Sequence, residues 1–351
     1  MAGAREPARL ALLALLAACA GGGDPMPETA GGASVTSQTP AAPPAAELLR
    51  QADQRFSARE YAAAREAYQG CAAAAAAEGA TSVEVEARAQ VARCWSLPSG
   101  PGTPDLARAR EELGRAAGLA SPQDPPGWSR FLGVRGILER EGGDRPRSLA
   151  TFVEMHDYCR ARGLPRRAID AAHHAAIVAP PGDQEAWARK GIAAAEACQP
   201  PEIGWLAVLW NNLGATYEDL ARYPEAVAAY RKAREFHHQG KAEQPRLAAD
   251  WALGHALRLA GELDEAETWL AGALAWAERR HAAAPDAGTE EWVGYCLQDT
   301  GELQVARGQR AEGLASLRTA RARLAAAGLE AHWPEHLQKL DARIAALEQT
   351  D

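Results

Sequence analysis

Nine histidines and six cysteines are the side chains from which metal or nucleophilic chemistry would have to be built. His332 and His336 are four residues apart, the spacing that turns two imidazoles to one side of a helix for a zinc ion. Pro334 lies between them and disfavours helical backbone at Trp333, which takes His332 out of line. The adjacent pairs His173-His174 and His237-His238 cannot point the same way from one helix. There is no Gly-Lys-Ser/Thr phosphate loop, no His-Glu-x-x-His and no Gly-x-Ser-x-Gly elbow. We therefore expect no catalytic residue, no metal and no cofactor. Among the cysteines, Cys159 and Cys198 fall near the ends of successive helices of one type, and Cys71 and Cys94 lie on consecutive helices. Either pair could form a disulfide in an oxidising compartment. Buried thiols packing as small apolar groups are the alternative, and the one we favour.

The elements that carry these residues are helical. Alanine, leucine, arginine and glutamate dominate, all good helix formers, and no stretch alternates like a strand. The formal net charge of −8 gives no general footprint for nucleic acid. Arg5 and Arg9 precede a short apolar run at 10–18, too short to span a bilayer that needs about 20 residues, so 1–18 reads as a signal peptide. The run ends Leu16-Ala17-Ala18-Cys19, which resembles a bacterial lipobox. That resemblance implies a lipoprotein with acyl chains (palmitate among them) on Cys19, and Ala20 in place of aspartate implies the outer membrane, with the chain facing the periplasm or the cell surface. Residues 19–46 are rich in Gly, Pro, Ser and Thr and read as a tether, spanning roughly 25–30 Å as a flexible coil.

Internal repetition sets the fold. Trp210, Leu213, Gly214 and Tyr217 are followed by Ala226, Tyr230 and Ala233. This set resembles the tetratricopeptide signature residue by residue. Leu253-Gly254, Leu257, Ala266, Leu270 and Ala273 repeat it, as do Leu297, Gly301, Gly313, Leu317 and Ala320 more weakly. The step from the first Gly to the small residue of the second helix is 12 in all three, while the steps between units are 40 and 47. Two helices that cross closely must meet at fixed places, whereas connectors lengthen freely. Ala52, Ala64 and Tyr68 repeat the spacing upstream. The reading is an all-α, right-handed solenoid of about seven antiparallel helix pairs over 47–330, clearest at 207–328. Upstream pairs fall at 48–78, 82–119, 128–162 and 165–197. A capping helix covers 331–351, with Pro334 at its start and Leu337, Leu340, Ile344 and Leu347 on one stripe. The long repeats resemble those of kinesin light chains and bacterial signalling proteins.

In the tetratricopeptide family the first helix of each pair lines a ligand groove. Carried over by spacing, the resemblance implies groove residues Asn211, Glu218 and Asp219, then Trp251, His255 and Arg258, then Tyr295, Gln298 and Glu302. The family's clamp for free C-termini is missing, because Ala215, Trp251 and Glu302 stand at places that want Lys, Asn or Arg. Three carboxylates against Arg258 and His255 favour a neutral or basic ligand. The implied function is a non-enzymatic scaffold that binds a partner protein segment at the bacterial envelope. In plan the chain resembles repeat lipoproteins of outer-membrane barrel and secretin assembly. A small-molecule or glycan receptor using Trp251 and Tyr295 is the alternative.

Overall fold

The computed structural model describes residues 43–98 and 102–349. The expected signal peptide, Cys19 and the tether up to residue 42 lie outside them. The described residues form sixteen helices and no strand. Helices α1 (Ala45–Ser57), α2 (Tyr61–Glu78), α3 (Thr81–Trp95), α4 (Leu106–Ala117), α5 (Pro125–Glu141), α6 (Arg145–Ala161), α7 (Pro165–Val178) and α8 (Pro181–Ala197) make four pairs. They belong to a compact unit that ends at Glu202. A second compact unit begins at Ile203. It holds α9 (Ile203–Asp219), α10 (Tyr223–His237), α11 (Glu243–Ala260), α12 (Leu263–Ala283), α13 (Ala287–Ala306), α14 (Arg310–Ala326), the short α15 (Leu329–His332) and α16 (Pro334–Gln349). The boundary between the two units, 202/203, falls within the span 47–330 expected as the repeat array. The division follows the bent, non-helical segment around Pro200 and Pro201, where prolines remove backbone donors and stop a helix.

One geometric rule builds most of the pairs. A glycine on the first helix lies under a large side chain sixteen residues later on the second. A Cβ at Gly214 would come within 2.8 Å of the Tyr230 ring, at Gly254 within 2.9 Å of Leu270, and at Gly301 within 2.8 Å of Leu317. Gly136 does the same under Phe152 at 2.7 Å, so the pair α5/α6 keeps the register as well. There Ser148 takes the small position twelve residues on and donates its hydroxyl to the Gly136 carbonyl at 2.7 Å. The partners of these glycines are fully or almost fully buried, as close packing requires.

The turn between the two helices is equally regular. Seven residues after the crossing position the backbone is left-handed at Arg59, Gly143, Ala221, Gly261 and Gly308. The next residue's N–H then returns to a carbonyl five back, as in Arg222 to Tyr217 at 2.8 Å, Glu262 to Leu257 at 2.9 Å and Gln309 to Gln304 at 2.9 Å. This closes the first helix with the long bond of a Schellman cap. At the end of the second unit, α16 covers Leu317, Leu324 and Leu329 with Leu337, Leu340 and Leu347, and the helix begins at Pro334 as expected. No described helix is long and apolar enough to cross a membrane.

Candidate functional site

Within residues 203–349 the first helices α9, α11 and α13 bring polar side chains together across pairs. Asp299 on α13 is buried, and its Oδ1 receives Arg258 Nη2 at 2.8 Å and Nε at 3.1 Å from α11. His255 Nδ1 lies 2.8 Å from the same oxygen. The other ring nitrogen of His255 is 3.9 Å from Oε1 of Glu218 on α9. An ionic row therefore crosses three first helices, Glu218–His255–Asp299 with Arg258 beside it. Burial works against the Asp299 charge, but His255 and Arg258 outweigh it and hold the carboxyl down to about 2. Asn211, one turn before Gly214 on α9, is almost fully buried, and its Oδ1 has no hydrogen-bond partner among the described residues.

Not every expected groove residue joins this row. Asp219 is exposed at the end of α9. Trp251 packs against the core cluster of Leu247, Ala248 and Trp292, its ring 6.0 Å from that of Trp292 and 6.4 Å from that of Tyr295. Tyr295 is tied to Glu291 at 2.8 Å; burial and that carboxylate push its phenol above the ordinary range. Both aromatics thus serve the interior more than an open wall, because a large ring on a first helix fills the gap to the next pair. Gln298 and Glu302 hold the capping helix: His336 meets Gln298 at 2.8 Å and Arg343 meets Glu302 at 2.8 Å. They are the last first-helix positions, so α16 takes them where another repeat would stand. Asp299 is absent from the expected set because it is one residue past Gln298, the position that carried-over spacing selected. Among the described residues no group of three His, Cys, Asp or Glu side chains is arranged to hold a metal.

No family model matches the sequence, and no curated protein matches it. Solved structures do resemble the fold. A signal-transduction ATPase with a tetratricopeptide repeat sensor from Pyrococcus horikoshii superposes with a TM-score of 0.64 at 12% identity, over 84% of this chain and 44% of that one. The quorum sensor NprR from B. thuringiensis gives 0.53 at 11% identity, over 87% of each chain. BtubC (BKLC) from P. vanneervenii gives 0.51 at 15% identity, over 68% of this chain and 91% of that one. The fold is a tetratricopeptide-like array of helix pairs. This chain spans less than half of the Pyrococcus protein.

The tetratricopeptide-like pairs of residues 43–202 carry their own polar wall, which the spacing argument did not reach. Arg130 on α5 lies 3.7 Å from Asp53 on α1 and 3.4 Å from Glu86 on α3. Arg167 on α7 reaches the same Glu86 oxygen at 2.7 Å. Since Arg130 meets a helix two pairs away, α1, α3, α5 and α7 present these side chains to a common side. Tyr68 donates to Asp53 and receives Gln90. Glu86, Gln90 and Arg93 on α3, and Arg167, Asp170 and His174 on α7, are polar stripes at helical spacing. That polar period was the available signal. The five described cysteines are free thiols, which corrects both suggested bridges. Cys71 donates to the Ala45 carbonyl at 3.3 Å and packs with Ala72 and Ala87, while Cys94 belongs with Tyr68 and Val91. Cys159 is buried among Leu132 and Met155, and Cys198, just past the end of α8, donates back to the Ala194 carbonyl of that helix. Burial pushes the Cys94 and Cys159 thiols up to about 12, so they pack as inert apolar groups.

Proposed function

We propose that the chain is a non-enzymatic adaptor that binds a segment of a partner protein against α9, α11 and α13, and that acyl chains on Cys19 tether it to the outer membrane. The row Glu218–His255–Asp299–Arg258 carries this reading. Buried charges cost folding energy that apolar side chains of the same volume would not, and here they line successive first helices. Two carboxylates against one guanidinium and one imidazole suit a neutral or basic segment. Asn211 offers an unused amide oxygen to a backbone N–H on the same helix row. Two solved proteins of this fold are named for sensing, one a tetratricopeptide repeat sensor and the other a quorum sensor, and sensing requires a bound signal. Because Trp251 and Tyr295 are engaged in packing, no observation favours the glycan reading.

A photo-crosslinking residue placed at 255 in the full-length lipoprotein should give a discrete adduct in intact envelopes, and one at the exposed Lys232 should not. Equal labelling from both positions, or none from either, would remove the reading. For the anchor, Cys19→Ala should leave an uncleaved precursor without palmitate label; normal processing of that variant would rule the lipid out.

A further inference from the structure

Three nitrogens meet one oxygen of Asp299 and none meets the other. Oδ1 takes Nε and Nη2 of Arg258 and lies against Nδ1 of His255. Oδ2 accepts no hydrogen bond from any described residue, and it is not one of the sealed, partnerless atoms such as the Asn211 oxygen, so solvent reaches it. Elsewhere in the same unit arginine meets a carboxylate as a fork, one nitrogen to each oxygen. Arg321 does so with Asp341, at 3.0 and 3.2 Å, and Arg343 with Glu302, at 3.0 and 2.8 Å. Arg258 instead puts both of its bonds on Oδ1. A carboxylate has about four acceptor sites, and Asp299, otherwise almost fully buried, keeps those of Oδ2 unspent.

The charges around that oxygen say what it would take. Glu218 and Asp299 bring two negative charges to the row, and Arg258 brings one positive charge. His255 faces both carboxylates, but its Nε2 stays 3.9 Å from Glu218, beyond hydrogen-bond reach. Glu302, one turn further along α13, is already held by Arg343. A donor that carries positive charge is therefore favoured over a neutral one, and an anion is repelled. Arg258 does not bar a second guanidinium. Glu86 in residues 43–202 holds two at once, Arg130 and Arg167, on a single oxygen.

We propose that Oδ2 of Asp299 anchors the guanidinium of an arginine in the segment bound along α9, α11 and α13, which rests on the partner reading given above and narrows it from a neutral or basic segment to a basic one. The Asp299 carboxylate then lies between two guanidiniums, that of Arg258 on Oδ1 and the partner's on Oδ2. The incoming charge offsets the surplus negative charge of the row, so affinity falls as salt rises.

Isothermal titration of the full chain with hexaarginine and with hexacitrulline, at constant ionic strength, tests it. Citrulline keeps the shape of arginine and loses its charge. Hexaarginine should bind saturably, and roughly tenfold or more tightly than hexacitrulline. Its affinity should fall by roughly tenfold or more in Asp299→Asn. It should stay within about twofold in Glu267→Gln, which removes an exposed carboxylate of α12. Absence of saturable hexaarginine binding overturns the proposal. So does equal binding of the two peptides, or an affinity that Asp299→Asn leaves unchanged. If Asp299→Asn fails to fold, nuclear magnetic resonance of the wild-type chain decides: the Asp299 side-chain carboxyl carbon should shift on adding hexaarginine, and a fixed signal sinks the idea. The crosslink at position 255 separates the anchor from its premise. An adduct there without hexaarginine binding refutes the arginine anchor alone, whereas no adduct removes the partner reading.

Discussion

A single Cβ decides how two helices of a pair meet. Alanine at position 214 would put a carbon 2.8 Å from the Tyr230 ring, and overpacking of that kind costs about 1–3 kcal/mol. Gly272, inside α12, has nothing within 4 Å of its would-be Cβ. There the same substitution should stabilise by roughly 0.5–1 kcal/mol, since glycine is the poorer helix former. Urea midpoints of Gly214→Ala and Gly272→Ala should therefore move in opposite directions. Asp299 is decisive in another way. Replacing it with asparagine leaves Arg258, only 15% exposed, without its carboxylate. Breaking a fully buried pair costs about 3–5 kcal/mol; with Arg258 partly wetted we expect roughly 2–3, read as a lower denaturation midpoint. A midpoint unchanged within error would mean that the ionic row contributes nothing to the fold. The crossing glycines were legible in the sequence because steric demand at 214, 254 and 301 leaves little choice of residue. Asp299 was not, because an acidic residue on a helix looks alike whether it meets water or Arg258.

At the scale of the helix pair, the left-handed turn is what the sequence conceals and the backbone reveals. Gly261 and Gly308 announce it, whereas Ala221 and Arg59 adopt the same positive φ with a Cβ present, 54° and 64° respectively. An L-residue in that region costs about 1–2 kcal/mol. Ala221→Gly should thus raise stability by about 1 kcal/mol, less what the glycine gains in the unfolded chain, and calorimetry would read it as a higher melting temperature. A fall would show that the Ala221 methyl is needed for packing. The pairs of residues 43–202 were harder to register for related reasons. In α5/α6 a serine holds the small position, and its hydroxyl is satisfied by the Gly136 carbonyl, so a search for Gly or Ala passes over it. The connector between α3 and α4 is longer than in the other pairs, which breaks the constant step. By contrast the capping helix was plain from its stripe, because Leu337, Leu340 and Leu347 have only one apolar face to join.

Across the whole molecule, buried histidines make the two units unequal toward acid. Burial, reinforced by Arg140, holds His173 down to about 3, and burial with the charges of His173, Arg140 and Arg93 holds His174 well below its ordinary value. In residues 203–349 burial, with His238 adding to it, holds His237 down to about 4. Each is neutral in the fold but takes a proton near pH 6.5 once unfolded. Stability from these groups is therefore complete above about pH 6.5 and is lost as pH falls toward the folded values. The loss approaches about 1.4 kcal/mol per pH unit for each histidine. Asp170, which burial raises, opposes this by accepting a proton in the fold, though only where carboxylates titrate. Between pH 7 and pH 5 two histidines should remove roughly 4 kcal/mol from the unit of residues 43–202, and one should remove roughly 2 from the unit of residues 203–349. Hydrogen exchange of the intact chain, corrected for intrinsic rates, resolves the two through peptides covering α7 and α10. Protection in α7 should fall by about twice as much in free energy as protection in α10. Equal losses, or a larger one in α10, would mean that His173 and His174 admit protons in the folded state.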